Sequence, residues 1–332
     1  MENIAQKLDK NLQKMPLKTR FAPTPSGFLH LGNVFSFLLT WLLARRESGK
    51  IYLRIDDIDA SRSRPEYVED IFFTLDWLGL DYDEGAQNVD DFYKFYSQQH
   101  RLEHYDSFLS RLAQQWLFPC TCSRREIIEK YQGIYNGNCL SSLLSEKTHF
   151  FQKENEIFIQ KENQKCAWRL QTQKLIAQTY AYFEYDWKGR EDKKVQFKGD
   201  LVHREMPYYI LRSKQNRAAY QLVSLIEDLE NQINFIVRGS DLIPSTQAQM
   251  ALASLLSDFF SFKNTIFLHH RLMHDLKGDK LSKSAGAAAI YHQRARGEVG
   301  KSFVFESFSE FLGLKEKLYS LKDFQLFFEA QS

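Results

Sequence analysis

Arg20-Phe21-Ala22-Pro23-Thr24-Pro25-Ser26-Gly27-Phe28-Leu29-His30-Leu31-Gly32-Asn33 is the stretch on which the fold turns. Thr19 to Ala22 reads as a short strand, and Pro23, Pro25 and Gly27 break it. His30 to Glu47 then reads as a helix, with Leu31, Val34, Phe35, Leu38, Leu42 and Leu43 mostly on one face. Gly49 is expected to close it. A strand that turns sharply into a helix presents unpaired N–H groups and the positive end of the helix dipole, which suits a phosphate. His30 can donate to a phosphoryl oxygen there, and Gly32 lets a nucleotide approach the backbone. Taken alone, His30 to Asn33 fits a plain capped turn equally well.

Outward from this stretch the alternation continues. Ile51 to Ile55 is a buried-type strand, and Arg64-Pro65 opens a helix to about Leu78. Strand, helix, strand, helix is the pattern of a parallel α/β sheet. Asp90 to Gln115 is helical and mixed, and 118–140 is rich in Cys, Tyr, Gly and Asn. Residues 141–165 are polar, an exposed insertion with at most a short hairpin, before Trp168-Arg169-Leu170 resumes order. A second α/β portion from Pro207 to Phe260 holds a strand at Ile233 to Arg238 and a helix at about Thr246 to Phe259. From Phe262 come a Gly/Lys/Ser loop and short helical segments, and no internal repeat is present.

Hydrophobic residues at 43% exclude global disorder. Lys+Arg at 44 against Asp+Glu at 42 gives a net charge of +2, so RNA would be held by a local basic patch and not by a global field. Met1 to Arg20 lacks an apolar core, so it is not a secretory signal. Phe35 to Ala44 is far too short for a membrane span. A cytoplasmic monomer with no membrane partner is expected.

Lys280-Leu281-Ser282-Lys283-Ser284, between Gly278 and Gly286, can close over a triphosphate as mobile point charges, though alone it reads as a solvated basic loop. Together with His30-Leu31-Gly32-Asn33 it resembles the HIGH and KMSKS motifs of class I aminoacyl-tRNA synthetases. The lead-in Arg20 to Gly27, Leu53-Arg54-Ile55-Asp56-Asp57-Ile58-Asp59, Trp168 to Leu170 and Val237-Arg238-Gly239-Ser240-Asp241-Leu242 resemble the glutamyl branch over about Arg20 to Gly286. The resemblance implies an α/β, Rossmann-type parallel sheet with an inserted zinc-containing subdomain and a short helical C-terminal tail. The expected parts are an N-terminal extension (1–16), a first catalytic half (17–105), an inserted acceptor/zinc subdomain (106–205), a second catalytic half (206–260), and a loop with a stem-contact tail (261–332).

Glutamate carries two carboxylates and one ammonium. Arg20 and Arg238 are the candidate carboxylate forks, Thr24 and Tyr220 add hydroxyls, and Asp56 can meet the ammonium. The resemblance implies the same roles, with one departure: the family carries Glu where this chain has Asp56. It also makes His30, Asn33 and Lys283 the catalytic set and His30, Gly32, Asn33, Lys280 and Lys283 the ATP-binding set, with Mg²⁺ accompanying ATP. Asp57 and Asp59 read as solvated carboxylates or helix caps, and His269, His270 and His274 as loop or pocket-wall residues.

Cys120, Cys122 and Cys139 crowd one segment, a pattern that suits a metal in a reducing compartment better than disulfides. Three thiolates can wrap a tetrahedral zinc but leave a fourth position open. The spacing resembles that of the glutamyl-queuosine tRNA(Asp) synthetases, short paralogues of glutamyl-tRNA synthetases, which implies Tyr135 as fourth ligand of one structural zinc. That resemblance further implies ATP, L-glutamate and queuosine-bearing tRNA(Asp) as partners. About 46 residues follow Gly286, too few for an anticodon-reading domain, which favours the same reading. A truncated glutamyl-tRNA synthetase charging the tRNA 3′ end, an inactive nucleotide- or RNA-binding module, and a small-molecule nucleotidylyltransferase are the alternatives. Arg124, Arg125, Arg212, Lys214, Arg217, Arg294 and Arg296 are candidate RNA contacts.

Overall fold

A computed structural model describes residues 16–140, 148–153, 156–161, 165–186, 191–272, 289–297 and 299–330. Strand β1 (Lys18–Phe21) leads into helix α1 (Leu31–Arg46), which returns to β2 (Lys50–Leu53); α2 (Pro65–Leu78) then leads to β3 (Glu84–Gly85). The three strands pair in parallel in the order β1-β2-β3. Pro65 at the first turn of α2 has its φ preset and no N–H to lose, and Gly79 ends the helix in the left-handed region.

The α1 sequence suggested one apolar face, but Val34, Phe35 and every residue from Phe37 to Ala44 are buried. The cause is position: the helix is enclosed between the sheet and the C-terminal helices, and Phe35 meets Phe308 and Phe311, each at 5.3 Å between ring centroids. The helix closes where expected, with Gly49 N donating to the Ala44 carbonyl at 2.8 Å. Ser48 takes the left-handed backbone (φ 52°), and Gly49 does not. Gly49 is needed for space, since a Cβ there would lie 2.6 Å from Leu17 Cδ2 and 2.9 Å from the Leu17 carbonyl oxygen.

A π turn (Phe92–Tyr96) and a 3-10 turn (Gln98–Arg101) precede α3 (Leu102–Trp116), β4 (Leu117–Cys120) and α4 (Arg124–Tyr131). Strands β5 (Thr148–Lys153) and β6 (Glu156–Lys161) form an antiparallel hairpin in the polar insertion. Next come β7 (Ala167–Leu170), β8 (Thr179–Asp186), β9 (Glu191–Lys198), α5 (Gly199–Glu205), β10 (Ile210–Arg212) and α6 (Tyr220–Glu230). The chain continues through β11 (Phe235–Gly239), α7 (Ile243–Leu252), β12 (Ile266–His270), α8 (Ile290–Ala295), α9 (Lys301–Leu312) and α10 (Leu321–Ala330). Helix α7 starts and stops earlier than the sequence suggested: Pro244 sets its first turn, and Ser257–Asn264 is 3-10.

β11, β12 and β8 are mutually parallel, and β9 runs antiparallel at the edge. β1 and β11 lie side by side, tied where Asn234 N donates to the Lys18 carbonyl at 3.0 Å and Lys18 N donates to Asn234 Oδ1 at 2.8 Å. The strand order thus reverses between β1 and β11, and a doubly wound sheet leaves a crevice at such a reversal. β8 comes from the 106–205 stretch, while β10, from 206–260, completes a separate antiparallel sheet β10-β7-β4. Among the described residues no helix is long and apolar enough to cross a membrane.

Candidate active site

The crevice past β1 and β11 is a cleft of about 450 Å³. Arg20, Thr24, His30, Gly32, Asn33, Tyr220 and Arg238 all line it, so seven residues chosen from sequence meet in one place. Lys280, Lys283 and His274 fall in 273–288, outside the described residues.

His30 is the N-cap of α1. Its Nδ1 accepts from Asn33 N at 3.3 Å, and Asn33 Oδ1 accepts from His30 N at 3.2 Å. This reciprocal capping box makes Nδ1 an acceptor, so in the neutral ring the proton sits on Nε2. Gly32 makes the cap possible, because a Cβ there would stand 3.0 Å from His30 Cε1 and Nδ1.

Beneath the cleft lies a buried charge cluster. Arg20 Nε meets Asp228 Oδ1 at 3.1 Å, Arg54 Nη1 meets the same oxygen at 2.6 Å, and Arg54 Nε meets Asp56 Oδ1 at 2.6 Å. Gln98 Nε2 also donates to Asp56 Oδ1, at 3.0 Å. Asp56 is therefore placed behind the wall, against Arg54 and Gln98, and does not line the cleft. Burial pushes its carboxyl above the ordinary range, with Arg54 opposing. Asp57 accepts from Ser97 Oγ at 2.6 Å and Gln98 N at 2.8 Å, which makes it a cap, and exposed Asp59 accepts from Ser61.

Arg238 differs from Arg20. It is 4% exposed, donates Nη1 to Gln249 Oε1 at 3.0 Å and Nη2 to Thr246 Oγ1, and leaves Nε without a hydrogen-bond partner. No carboxylate among the described residues pairs with it. Burial holds the guanidinium below its ordinary value; Tyr220 opposes that shift and the like charge of Arg20 adds to it. A cation so placed favours an anion from outside, because an unpaired buried charge costs several kcal/mol.

Arg54, Asp228, Thr246 and Gln249 join the site in the structure without being among the site residues expected from sequence. Alternation in Leu53-Arg54-Ile55-Asp56 could have paired Arg54 with Asp56, and the three-residue spacing of Thr246 and Gln249 could have placed both on one helix face. Asp228 had no local signal. His270 lines the cleft, while the His269 side chain lies behind it. Of the candidate RNA contacts, Arg212 is buried over Trp168 at 4.4 Å with Asp106 at 3.5 Å, and Arg294 pairs with Asp70 at 3.0 Å, so both are engaged inside the protein. Arg124 and Lys214 line a second cleft, with Arg169 and Arg204, beside the cysteine cluster.

The sulfurs of Cys120, Cys122 and Cys139 lie within 4.8 Å of one another, with Cys122 and Cys139 at 3.6 Å. The Tyr135 hydroxyl accepts from Cys139 N at 3.0 Å. The sulfur spacing matches a zinc about 2.3 Å from each thiolate, so the donor set fits that ion. Arg169 stands 4.1 Å over the Tyr135 ring.

Comparison with known proteins adds a lineage to this geometry. The sequence profile for the catalytic domain of tRNA synthetases class I (E and Q) matches residues 16–317. A Glutamyl-Q tRNA(Asp) synthetase of Nitratidesulfovibrio vulgaris is 33% identical, over 85% of this chain and 82% of that protein. A Glutamate--tRNA ligase of Microcystis aeruginosa is 29% identical over 87% of this chain, which spans only 57% of that ligase. The crystal structure of a glutamate tRNA ligase from Elizabethkingia meningosepticum, in complex with its amino acid, superposes with a TM-score of 0.61 at 19% identity, covering 94% of this chain and 64% of that one.

Proposed function

The chain belongs to the class I tRNA synthetases of the glutamate and glutamine branch and is a ligase of that kind; from this premise we propose that it activates glutamate with ATP and passes the glutamyl group to the queuosine base of tRNA(Asp). The observation that carries the reading is Arg238, buried at the cleft without a carboxylate partner among the described residues and close to Arg20.

Arg238 and Arg20 would hold the carboxylates of glutamate, with Thr24 and Tyr220 adding hydroxyl hydrogen bonds. Asp56 would receive the ammonium only through a rearranged Arg54 or an intervening water, since Arg54 and Gln98 hold it behind the wall. His30 Nε2–H and the first amides of α1 would take the triphosphate, joined by Lys280 and Lys283. Mg²⁺, when bound with ATP, would neutralise phosphate charge. A glutamate carboxylate oxygen attacks the α-phosphorus; that P–O bond forms as the bond to the pyrophosphate oxygen breaks, and glutamyl-adenylate and pyrophosphate result. The protein supplies position and charge and no covalent nucleophile. A queuosine ring hydroxyl then attacks the acyl carbon, loses its proton and displaces AMP.

Cys120, Cys122, Cys139 and Tyr135 would hold one zinc, tying the end of β4 to the turn after α4. The relatives named Glutamyl-Q tRNA(Asp) synthetase support the queuosine step. Charging with labelled glutamate tests it: tRNA(Asp) bearing queuosine accepts label and queuosine-free tRNA(Asp) does not. Charging of an unmodified tRNA(Glu) transcript would instead establish transfer to the 3′ end.

A further inference from the structure

Arg238 donates Nη2 to the Thr246 hydroxyl, and that oxygen stands 2.6 Å from His269 Nε2. On the far side of the ring, His269 Nδ1 lies 2.6 Å from Glu184 Oε2, and His269 N donates to Glu184 Oε1 at 2.8 Å. Four residues from β11, α7, β12 and β8 thus make one line across a single face of the sheet, from the cleft at β11 to β8.

The protons along this line have one consistent order. Glu184, a carboxylate, only accepts, so His269 Nδ1 carries a proton. Burial lowers the His269 pKa despite Glu184, so the ring is neutral and Nε2 is an acceptor. The Thr246 hydroxyl must then donate to Nε2, which leaves its lone pairs facing Arg238. A Leu242 carbonyl at 3.2 Å competes for the same proton, but turning the hydroxyl that way would require a doubly protonated, charged His269 in a buried place. The order Arg238 to Thr246 to His269 to Glu184 therefore runs one way only, and each acceptor is set by the next.

We propose that Thr246, His269 and Glu184 are positioning residues for glutamate binding: they fix the plane of the Arg238 guanidinium so that it meets a substrate carboxylate in a forked pair. This rests on the reading of Arg238 as a glutamate ligand. Gln249, on Nη1, fixes a second edge and leaves Nε unengaged. The chain needs a hydroxyl at 246, an acceptor nitrogen at 269 and an anion at 184.

The test is steady-state, glutamate-dependent ATP–pyrophosphate exchange, with thermal unfolding of each variant as a check on folding. Thr246→Val keeps the shape and removes the hydroxyl. It should raise the KM for glutamate about tenfold or more while the KM for ATP stays within about twofold, as loss of a hydrogen bond to a charged group implies. Thr246→Ser, which restores the hydroxyl, should return the KM to near the wild-type value. Glu184→Gln, at the half-exposed end of the line, should shift the same KM in the same direction by about threefold and serves if Thr246→Val does not fold. Arg238→Lys separates the two ideas. If it raises the glutamate KM while Thr246→Val and Glu184→Gln do not, the positioning chain is refuted and the pocket stands. If Arg238→Lys leaves that KM unchanged, both are refuted.

Discussion

Replacing Arg54 by methionine should unfold this protein more readily than almost any other single change at its centre. The side chain is 3% exposed and touches two carboxylates that are themselves 5% and 1% exposed, Asp56 and Asp228. Arg20 and Arg54 supply two positive charges against the two negative ones, so the cluster is neutral. Burial opposes the charge on Arg54, but Asp228 and Asp56 together hold its pKa well above the ordinary value. Methionine keeps much of the stem volume and removes the charge, leaving one buried carboxylate uncompensated. Breaking a buried pair in this way costs about 3–5 kcal/mol. Equilibrium unfolding in urea, at unchanged m, measures it. The double variant Arg54→Met, Asp56→Asn removes one charge of each sign and should recover at least about half of the loss. A loss below about 1 kcal/mol for the single variant, or no recovery in the double, would refute the view that charge balance holds this cluster together.

Gly32→Ala pushes a Cβ to 3.0 Å from two atoms of the His30 ring, so it should weaken ATP binding by about tenfold; isothermal titration with ATP reads this directly. The purified protein should carry one zinc per chain by elemental analysis, and chelation should lower its thermal midpoint while leaving a Cys139→Ser variant, which would hold no zinc, unmoved. Burial lowers the His269 pKa, so the native state keeps the ring neutral where the unfolded chain binds a proton near pH 6.5. Its contribution is therefore complete above about pH 6.5 and is lost as pH falls toward the native value, by at most about 1.4 kcal/mol per pH unit. The unfolding free energy of wild type minus that of His269→Gln should shrink on acidification from about pH 7 to about pH 5, and a constant difference would contradict the neutral ring.

How much of this was written in the sequence depends on the range of the signal. Residues 20–33 disclose the strand, the turn and the helix start because Pro, Gly and the capping pair His30 and Asn33 act locally. The resemblance then gathered Arg20, Thr24, Tyr220 and Arg238, which the structure places around one cleft. Where local reasoning fell short, a distant partner decided the outcome. Asp56 looked ready to face the cleft, but Gln98, from another segment, and its neighbour Arg54, itself anchored by distant Asp228, hold it behind the wall. Gly49 closes α1 as its position suggested, but that its smallness answers the close approach of Leu17 has no local signal. Burial of α1 on all sides needed the C-terminal helices, far away in sequence. The line from Arg238 to Glu184 joins four elements and has no trace in any one of them.

The central claim is that the cleft between β1 and β11 joins glutamate to ATP. Exchange of labelled pyrophosphate into ATP, measured with each amino acid in turn, tests it most directly. Glutamate alone should support exchange, and Arg238→Lys should raise the glutamate concentration needed. Exchange driven by aspartate or glutamine instead, or none at saturating glutamate, would contradict it.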